Sequence, residues 1–265
     1  MTSTTAAEGA VRPVSHRLGR AALAVTFWLG VWQVAAVAVD QHVLLVTPAG
    51  AFGRLVELVV TVDFWGTVGH SLLRIGAGFL LAAAVGILGA SLAHRVLLVD
   101  VLLTPALAAI RSTPVVSFII LVLIWSGSGT LAVVISFLMV LPILYTTTLE
   151  GIRHRDRALL EMTTTFRVPW VRRLPVVDLP AVLPFVVAGC KVGVGLAWKS
   201  GIAAEVIGLP QGSIGEQLYE AKIFLSSADL FAWTVVVVAL AYGFERLVLL
   251  LLERTEARLA RGPVR

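Results

Sequence analysis

Long apolar stretches separated by short polar segments dominate this chain. An α-helix needs about 20 mostly apolar residues to cross a lipid bilayer. The stretches that meet this length are residues 21–40, 69–93, 97–126, 129–149, 179–204 and 229–252. The third is interrupted near Pro114, where we expect the helix to break. The pattern predicts an all-α integral membrane protein with about six transmembrane helices.

The polar segments set the expected domain organisation. Residues 1–20 are small, polar and basic, and we expect a disordered cytoplasmic N-terminus there. Residues 21–64 are expected to form the first transmembrane helix and an external linker, and residues 256–265 a cytoplasmic tail. Residues 65–255 then form the core, and its longest polar stretch is the loop at 151–178.

Composition and charge support a membrane protein with a defined orientation. Hydrophobic residues make up 58% of the chain and charged residues 14%, against roughly 45–50% and about 25% in soluble domains. The net charge is +5, and most of the arginines lie before the first span and after the second, fourth and sixth, while the other connections are mainly acidic. The positive-inside rule therefore predicts both termini in the cytoplasm. The positive charge gives no reason to expect a nucleic-acid partner.

Enzymatic motifs are missing from the sequence. We find no P-loop pattern, no Ser-His-Asp arrangement and no paired carboxylates within one span, and the single cysteine, Cys190, cannot form an intrachain disulfide. A membrane-embedded enzyme is therefore disfavoured. An ATP-independent secondary transporter or channel remains an alternative, which would need internal repeats and membrane-embedded carboxylates. No clear repeat is visible, and the carboxylates are confined to span ends and loops, with Asp100 and Glu245, near membrane ends, as the only partial exceptions.

Three basic residues fall within predicted spans: Lys191 and Lys199 in the fifth and Arg111 in the third. A charge at mid-bilayer costs roughly 3 kcal/mol and has to face the bundle interior or water. The two lysines are about 80° apart around a helix. They lie beside a stripe of small residues suited to helix packing, formed by Gly189, Gly193, Ala197 and Gly201. One interpretation is that these basic residues line a translocation path for an anion. The other is that they form structural ion pairs, for example Lys199 with Glu205. For Arg111 a third alternative is a position in the cytoplasm, outside the span.

The basic loop between the fourth and fifth spans has an amphipathic, helix-forming pattern. Asp156 is a candidate N-cap, and Leu159, Leu160 and Phe166 give the following residues one apolar side. We expect Pro169 to end this helix and Trp170 to start a second turn. Aromatic and arginine residues of this kind are typical anchors of protein interfaces. The alternative is an interfacial helix resting on anionic lipid headgroups.

This loop resembles the cytoplasmic coupling loop of binding-protein-dependent ABC importer permeases. The family pattern is Glu-Ala-Ala, three residues, Gly, nine residues, then Ile-x-Leu-Pro. Its positions are matched here by Glu161, Val177, Leu179 and Pro180. Met162 and Thr163 replace the alanines, and Arg167 replaces the glycine. Since arginine adopts a positive φ poorly, we expect Pro169 to bend the chain instead.

The resemblance covers roughly residues 65–255 and is to the taurine, sulfonate and nitrate branch of the family. It continues through Ser71–Arg74 and the Gly-rich span that follows, Arg111–Pro114, and the turn Ile124–Gly129. It implies a type I importer permease fold in the bacterial cytoplasmic membrane. The solute is then a small anion such as a sulfonate, taurine or nitrate, although the family also imports thiamine-precursor-like solutes.

The resemblance also implies partners and sites. Two copies of a separate ATPase subunit, which bind ATP and Mg²⁺, would dock on the coupling loop, and this chain would hold no cofactor and catalyse no reaction. The implied ATPase contacts are Glu161, Thr165, Phe166, Arg167, Trp170, Leu179 and Pro180. A second permease copy, in a homodimer, would complete a translocation path with Lys191, Lys199 and Arg111. An extracytoplasmic binding protein would deliver the solute.

Overall fold

The computed structural model describes residues 14–41 and 44–260. The first helix, α1, spans Val14–Val39 and therefore begins inside the segment expected to be disordered; residues 1–13 lie outside the described part. The linker after the first span contains a helix that the apolar pattern did not predict, α2, at Pro48–Val59. Its N-cap is Thr47, whose hydroxyl accepts a hydrogen bond from the amide of Gly50, and proline occupies the first helical position, where it is tolerated.

The second and third predicted spans are confirmed. Helix α3 covers Val62–Arg95. The third span is broken into α4, Leu97–Ser112, and α5, Val115–Ser126, which are bent by 104° relative to each other. The break falls at Thr113 and Pro114, because a residue before proline is driven out of the helical region; Thr113 has an extended ψ of 131°.

The remaining helices include the elements of the polar loop. Helix α6 spans Leu131–Arg153, α7 Arg157–Thr165 and α8 Trp170–Arg173. A short π-helical turn, Leu174–Asp178, leads into α9, Leu179–Gly208. Helices α10, Ile214–Ile223, and α11, Ser227–Ala260, complete the described chain. Within the described ranges, five helices are long and apolar enough to cross a membrane, or six if the bent α4–α5 pair is one span. This confirms the all-helical membrane fold.

Helix α6 is the centre of the core and packs against α3 on one side and α9 on the other. Glycines allow both contacts: a Cβ at Gly78 of α3 would lie 2.5 Å from the carbonyl oxygen of Val133, and one at Gly189 of α9 would lie 2.3 Å from Oγ1 of Thr147. The small-residue stripe of the fifth span therefore packs against α6, as predicted. Helix α9 consequently turns a different face, the one carrying the lysines, away from this core.

Candidate functional site

The polar loop forms a compact element, residues 156–178, which we call the coupling element. Asp156 is the N-cap of α7, as predicted, and its Oδ1 accepts a hydrogen bond of 2.8 Å from the amide of Ala158. Helix α7 ends at Thr165, whose hydroxyl donates to the carbonyl of Glu161 at 2.9 Å. The first half of the element is therefore stabilised by its own local hydrogen bonds.

The turn after α7 corrects the expectation for Pro169. Arg167 has φ = 50°, so the chain bends at the position of the family glycine. The amide of Val168 donates to the carbonyl of Thr163 at 2.8 Å, and that of Arg167 to Thr164 at 3.0 Å. This is the hydrogen-bond pattern of a Schellman cap, which favours glycine at the residue with positive φ. Pro169 instead precedes α8 as its N-cap.

Large apolar side chains on the coupling element are exposed although they lie outside the spans. Phe166 is 75% exposed, Trp170 66% and Val171 61%. Glu161 and Arg167 of the same element are also exposed, and Leu179 and Pro180 are exposed at the start of α9. An apolar patch rimmed by charged residues is typical of a protein interaction surface. The structure thus places all the predicted ATPase contacts on accessible positions.

A carboxylate that sequence reasoning missed ties the coupling element to the bundle. Asp178 is buried and accepts hydrogen bonds from Nη1 of Arg155, which precedes α7, and from Nε of Arg173 in α8, the latter at 2.9 Å. Arg155 also donates to the carbonyl of Ile152 at 2.8 Å, and its Nη2 lies 2.8 Å from Nε2 of His94 at the end of α3. The sequence does single out Asp178 in one respect, because it is the one acidic residue between Glu161 and Glu205.

The face of α9 that carries the two lysines is directed away from the rest of the chain. Lys191 and Lys199 are both exposed, whereas Cys190 and Trp198, one residue earlier in each case, are buried in the core. Lys199 does not pair with Glu205. Glu205 is fully buried and accepts hydrogen bonds from the Ser71 hydroxyl at 2.7 Å and the Gly215 amide at 3.3 Å.

Arg111 lies at the break in the third span and contacts α6. Its Nη2 donates to the carbonyl of Pro142 at 2.8 Å and to the hydroxyl of Thr146 at 2.7 Å. Both partners lie on α6, so the guanidinium group of Arg111 holds the break in the third span against that helix.

A multi-pass helical bundle with an exposed coupling element is the architecture of a transmembrane transport subunit, a permease of the ABC class. Residues 82–255 match the family described as binding-protein-dependent transport system inner membrane component. The chain belongs to this family.

Named relatives match over most of the chain. It is 27% identical over 211 residues to the putative aliphatic sulfonates transport permease protein SsuC of Bacillus subtilis, covering 78% of this chain and 76% of the relative. It is 25% identical over 240 residues to the taurine transport system permease protein TauC of Escherichia coli, covering 88% and 86%. A shorter match to the putative aliphatic sulfonates permease SsuC of Escherichia coli is 32% identical over 156 residues, 58% of each chain.

Proposed function

We propose that this chain is the permease subunit of an importer for a small solute that carries an anionic sulfonate group, of the sulfonate or taurine kind. An extracytoplasmic binding protein delivers the solute, and a separate ATPase supplies the energy. The names of the relatives support this class of solute, and the positive charge on α9 supports an anion.

The exposure of Lys191 and Lys199 on one face of a spanning helix carries the proposal. An ammonium group facing lipid near mid-bilayer would cost roughly 3 kcal/mol. A second copy of this chain, packed with its own α9 toward the first, would replace lipid with an aqueous path between the two lysine faces. In that path the lysines attract a sulfonate or carboxylate-like anion, whereas a cationic solute would be repelled.

The coupling element supports the proposed ATPase partner. Phe166 and Trp170 are aromatic anchors that would fill a cleft on the partner, with Glu161 and Arg167 beside them. Two ATPase subunits, one on each permease copy, bind ATP and Mg²⁺; the permease contributes no covalent chemistry. ATP-driven closure of the ATPase pair then stabilises one of two permease conformations over the other. The contact between the ATPase and the coupling element thereby changes the side of the membrane to which the solute path is open.

The arginine distribution supports an orientation in which both chain termini and the coupling element lie in the cytoplasm. The turn and helix at 209–223 are then extracytoplasmic, on the side where a binding protein docks. Glu205, Ser71 and Gly215 hold this segment on the ends of α3 and α9.

The proposal is tested with the complete complex in proteoliposomes. Permease, ATPase and binding protein are reconstituted, and ATP-dependent uptake of labelled taurine and of an alkanesulfonate is compared with uptake of a thiamine-precursor pyrimidine. Uptake of the sulfonates alone is the expected result. Preferential pyrimidine uptake would overturn the solute class, and sulfonate flux through the permease alone, without ATPase, would indicate a secondary transporter.

A further inference from the structure

A cavity of about 410 Å³ lies at the arginine-rich end of the bundle, between α3, α6, α9 and the coupling element. Its apolar wall includes Ile87, Ile152, Leu179 and Val182. Its basic lining consists of His94, Arg95, Arg155 and Arg173, opposed by the carboxylate of Asp178. A cavity that combines apolar walls with an excess of arginine is complementary to an amphipathic anion.

The hydrogen bonds of the lining show which donors remain for a ligand. Each oxygen of Asp178 accepts a hydrogen bond from one arginine, so the negative charge of this carboxylate is already shared by Arg155 and Arg173. Arg155 is committed to Asp178, to a backbone carbonyl and to His94. Within the described part of the chain, Arg95 has no hydrogen-bond or ionic partner, and Arg173 uses only its Nε. Two guanidinium groups, one on α3 and one on α8, are therefore available.

A buried hydroxyl in the same lining supplies an independent observation. Thr148 lines the cavity, and its Oγ1 is buried without a hydrogen-bond partner among the described residues. The neighbouring hydroxyls of Thr146 and Thr147 both donate to the carbonyl of Ile143 at 3.0 Å. Leaving a buried hydroxyl unpaired is unfavourable, and a ligand oxygen would relieve that cost.

We propose that this cavity binds the headgroup of an anionic phospholipid. The phosphate lies at Arg95 and Arg173, since guanidinium groups match phosphate oxygens in charge and geometry. The apolar wall contacts the glycerol and the first methylenes of the acyl chains. Basic pockets between transmembrane helices at the membrane surface are suited to such headgroups.

The bound lipid has a consequence for transport that rests on the proposed function. A phosphate shared by Arg95 of α3 and Arg173 of α8 connects the coupling element to a second spanning helix, in addition to the Asp178 contact. The coupling element is then held more rigidly in a bilayer that contains anionic lipid. Coupling of ATP hydrolysis to import would accordingly depend on lipid charge.

The binding itself is tested on the purified full chain without partners. The chain is equilibrated in mixed micelles that contain equal amounts of phosphatidylglycerol and phosphatidylcholine, and the retained lipids are quantified by mass spectrometry. Wild type is expected to be enriched in phosphatidylglycerol. Arg95→Gln should reduce the enrichment about fivefold, the effect of one arginine at a charged lipid surface, and Arg95→Lys should keep most of it.

Arg254→Gln is the matched control, because Arg254 is exposed near the end of α11 and does not line the cavity. Gel filtration verifies that each variant is folded. No enrichment in wild type, or equal losses in Arg95→Gln and Arg254→Gln, would overturn the proposal. Displacement of the lipid by excess inorganic phosphate would also overturn it, in favour of a free-anion site. Since transport is not measured, failure of the import proposal would leave this result unchanged.

Discussion

Nε of Arg173 donates a hydrogen bond of 2.9 Å to Oδ2 of Asp178. The other carboxylate oxygen accepts from Arg155, so the segment before α7 and the end of α8 converge on one side chain at the start of α9. Charge-assisted hydrogen bonds of this type are stronger and more directional than neutral ones. Both ends of the coupling element are thus tied to the helix that carries Lys191 and Lys199.

Replacement of Asp178 by Asn should loosen this connection. The amide removes the negative charge shared by two arginines, and the loss of a hydrogen-bonded charge corresponds to about 1.5–3 kcal/mol. We expect a lower unfolding temperature in detergent and, in the complex, ATP hydrolysis that continues with little import. Glu57→Gln is the control, since Glu57 pairs with Arg54 at an exposed position, where an ion pair contributes about 0–1 kcal/mol. Equal effects of both substitutions would show that Asp178 has no special role.

Charge reversal at Glu161 tests the ATPase contact. Glu161 is exposed on the coupling element, as are Phe166 and Trp170, and a central interface residue accounts for about 2 kcal/mol or more of binding free energy. Glu161→Arg should therefore lower ATPase recovery in a pull-down from native membranes by about 30-fold, given that free-energy difference. Glu253→Arg reverses an exposed charge on α11 and should leave recovery unchanged. Undiminished recovery with Glu161→Arg would exclude a central contact there.

Lys191→Gln tests the proposed path. Removal of one positive charge should reduce ATP-dependent taurine uptake about tenfold, equivalent to roughly 1.4 kcal/mol, while ATPase binding stays intact. Arg254→Gln is the control, because Arg254 is exposed near the end of α11 and lies on neither α9 nor the segment 209–223. The readout is initial uptake rate in proteoliposomes. A structural role for Lys191 would instead appear as reduced yield and thermal stability with normal uptake per folded complex.

Hydropathy was sufficient to predict the spanning helices because a bilayer imposes both length and polarity on them. The break at Pro114 and the N-cap at Asp156 followed from local backbone chemistry. Helices α2 and α10 were missed because they are 12 and 10 residues long and carry no span-length apolar signal. The stability of these two helices depends on packing against the bundle, and the hydropathy pattern carries no information about that packing.

Prediction of the site was limited to residues with a local signature. The coupling element could be found from the spacing of Glu161, Leu179 and Pro180. Asp178, in contrast, acquires its role only when the fold brings Arg155 and Arg173 to it. The suggested pairing of Lys199 with Glu205 was wrong for a reason of helix geometry. The two are six residues apart on α9, which places them about 120° from each other around the axis. One faces outward and the other lies in the core.

Arg167→Gly should stabilise the turn after α7. Arg167 has φ = 50°, a conformation that costs roughly 1–2 kcal/mol for a residue with a side chain and little for glycine. Because the amide of Val168 donates to Thr163 across this turn, its hydrogen exchange should slow by about fivefold for a gain near 1 kcal/mol. Arg167→Ala also removes the guanidinium group but keeps the strain, so it should show no slowing. Equal slowing in both variants would attribute the effect to charge rather than backbone conformation.

Gly215→Ala should destabilise the end of the bundle that carries α10. A Cβ at Gly215 would lie 2.3 Å from Cβ of Glu205 and 2.4 Å from its backbone carbonyl carbon. The backbone cannot yield there, because Glu205 is held by Ser71 and by the Gly215 amide itself. Overpacking of this kind costs about 1–3 kcal/mol, which should appear as a lower unfolding temperature in detergent. Gly195→Ala is the control on the same helix as Glu205, since a Cβ at Gly195 meets no described atom within 4 Å. A Gly215→Ala variant as stable as Gly195→Ala would mean that the loop shifts freely and that Glu205 does not anchor it.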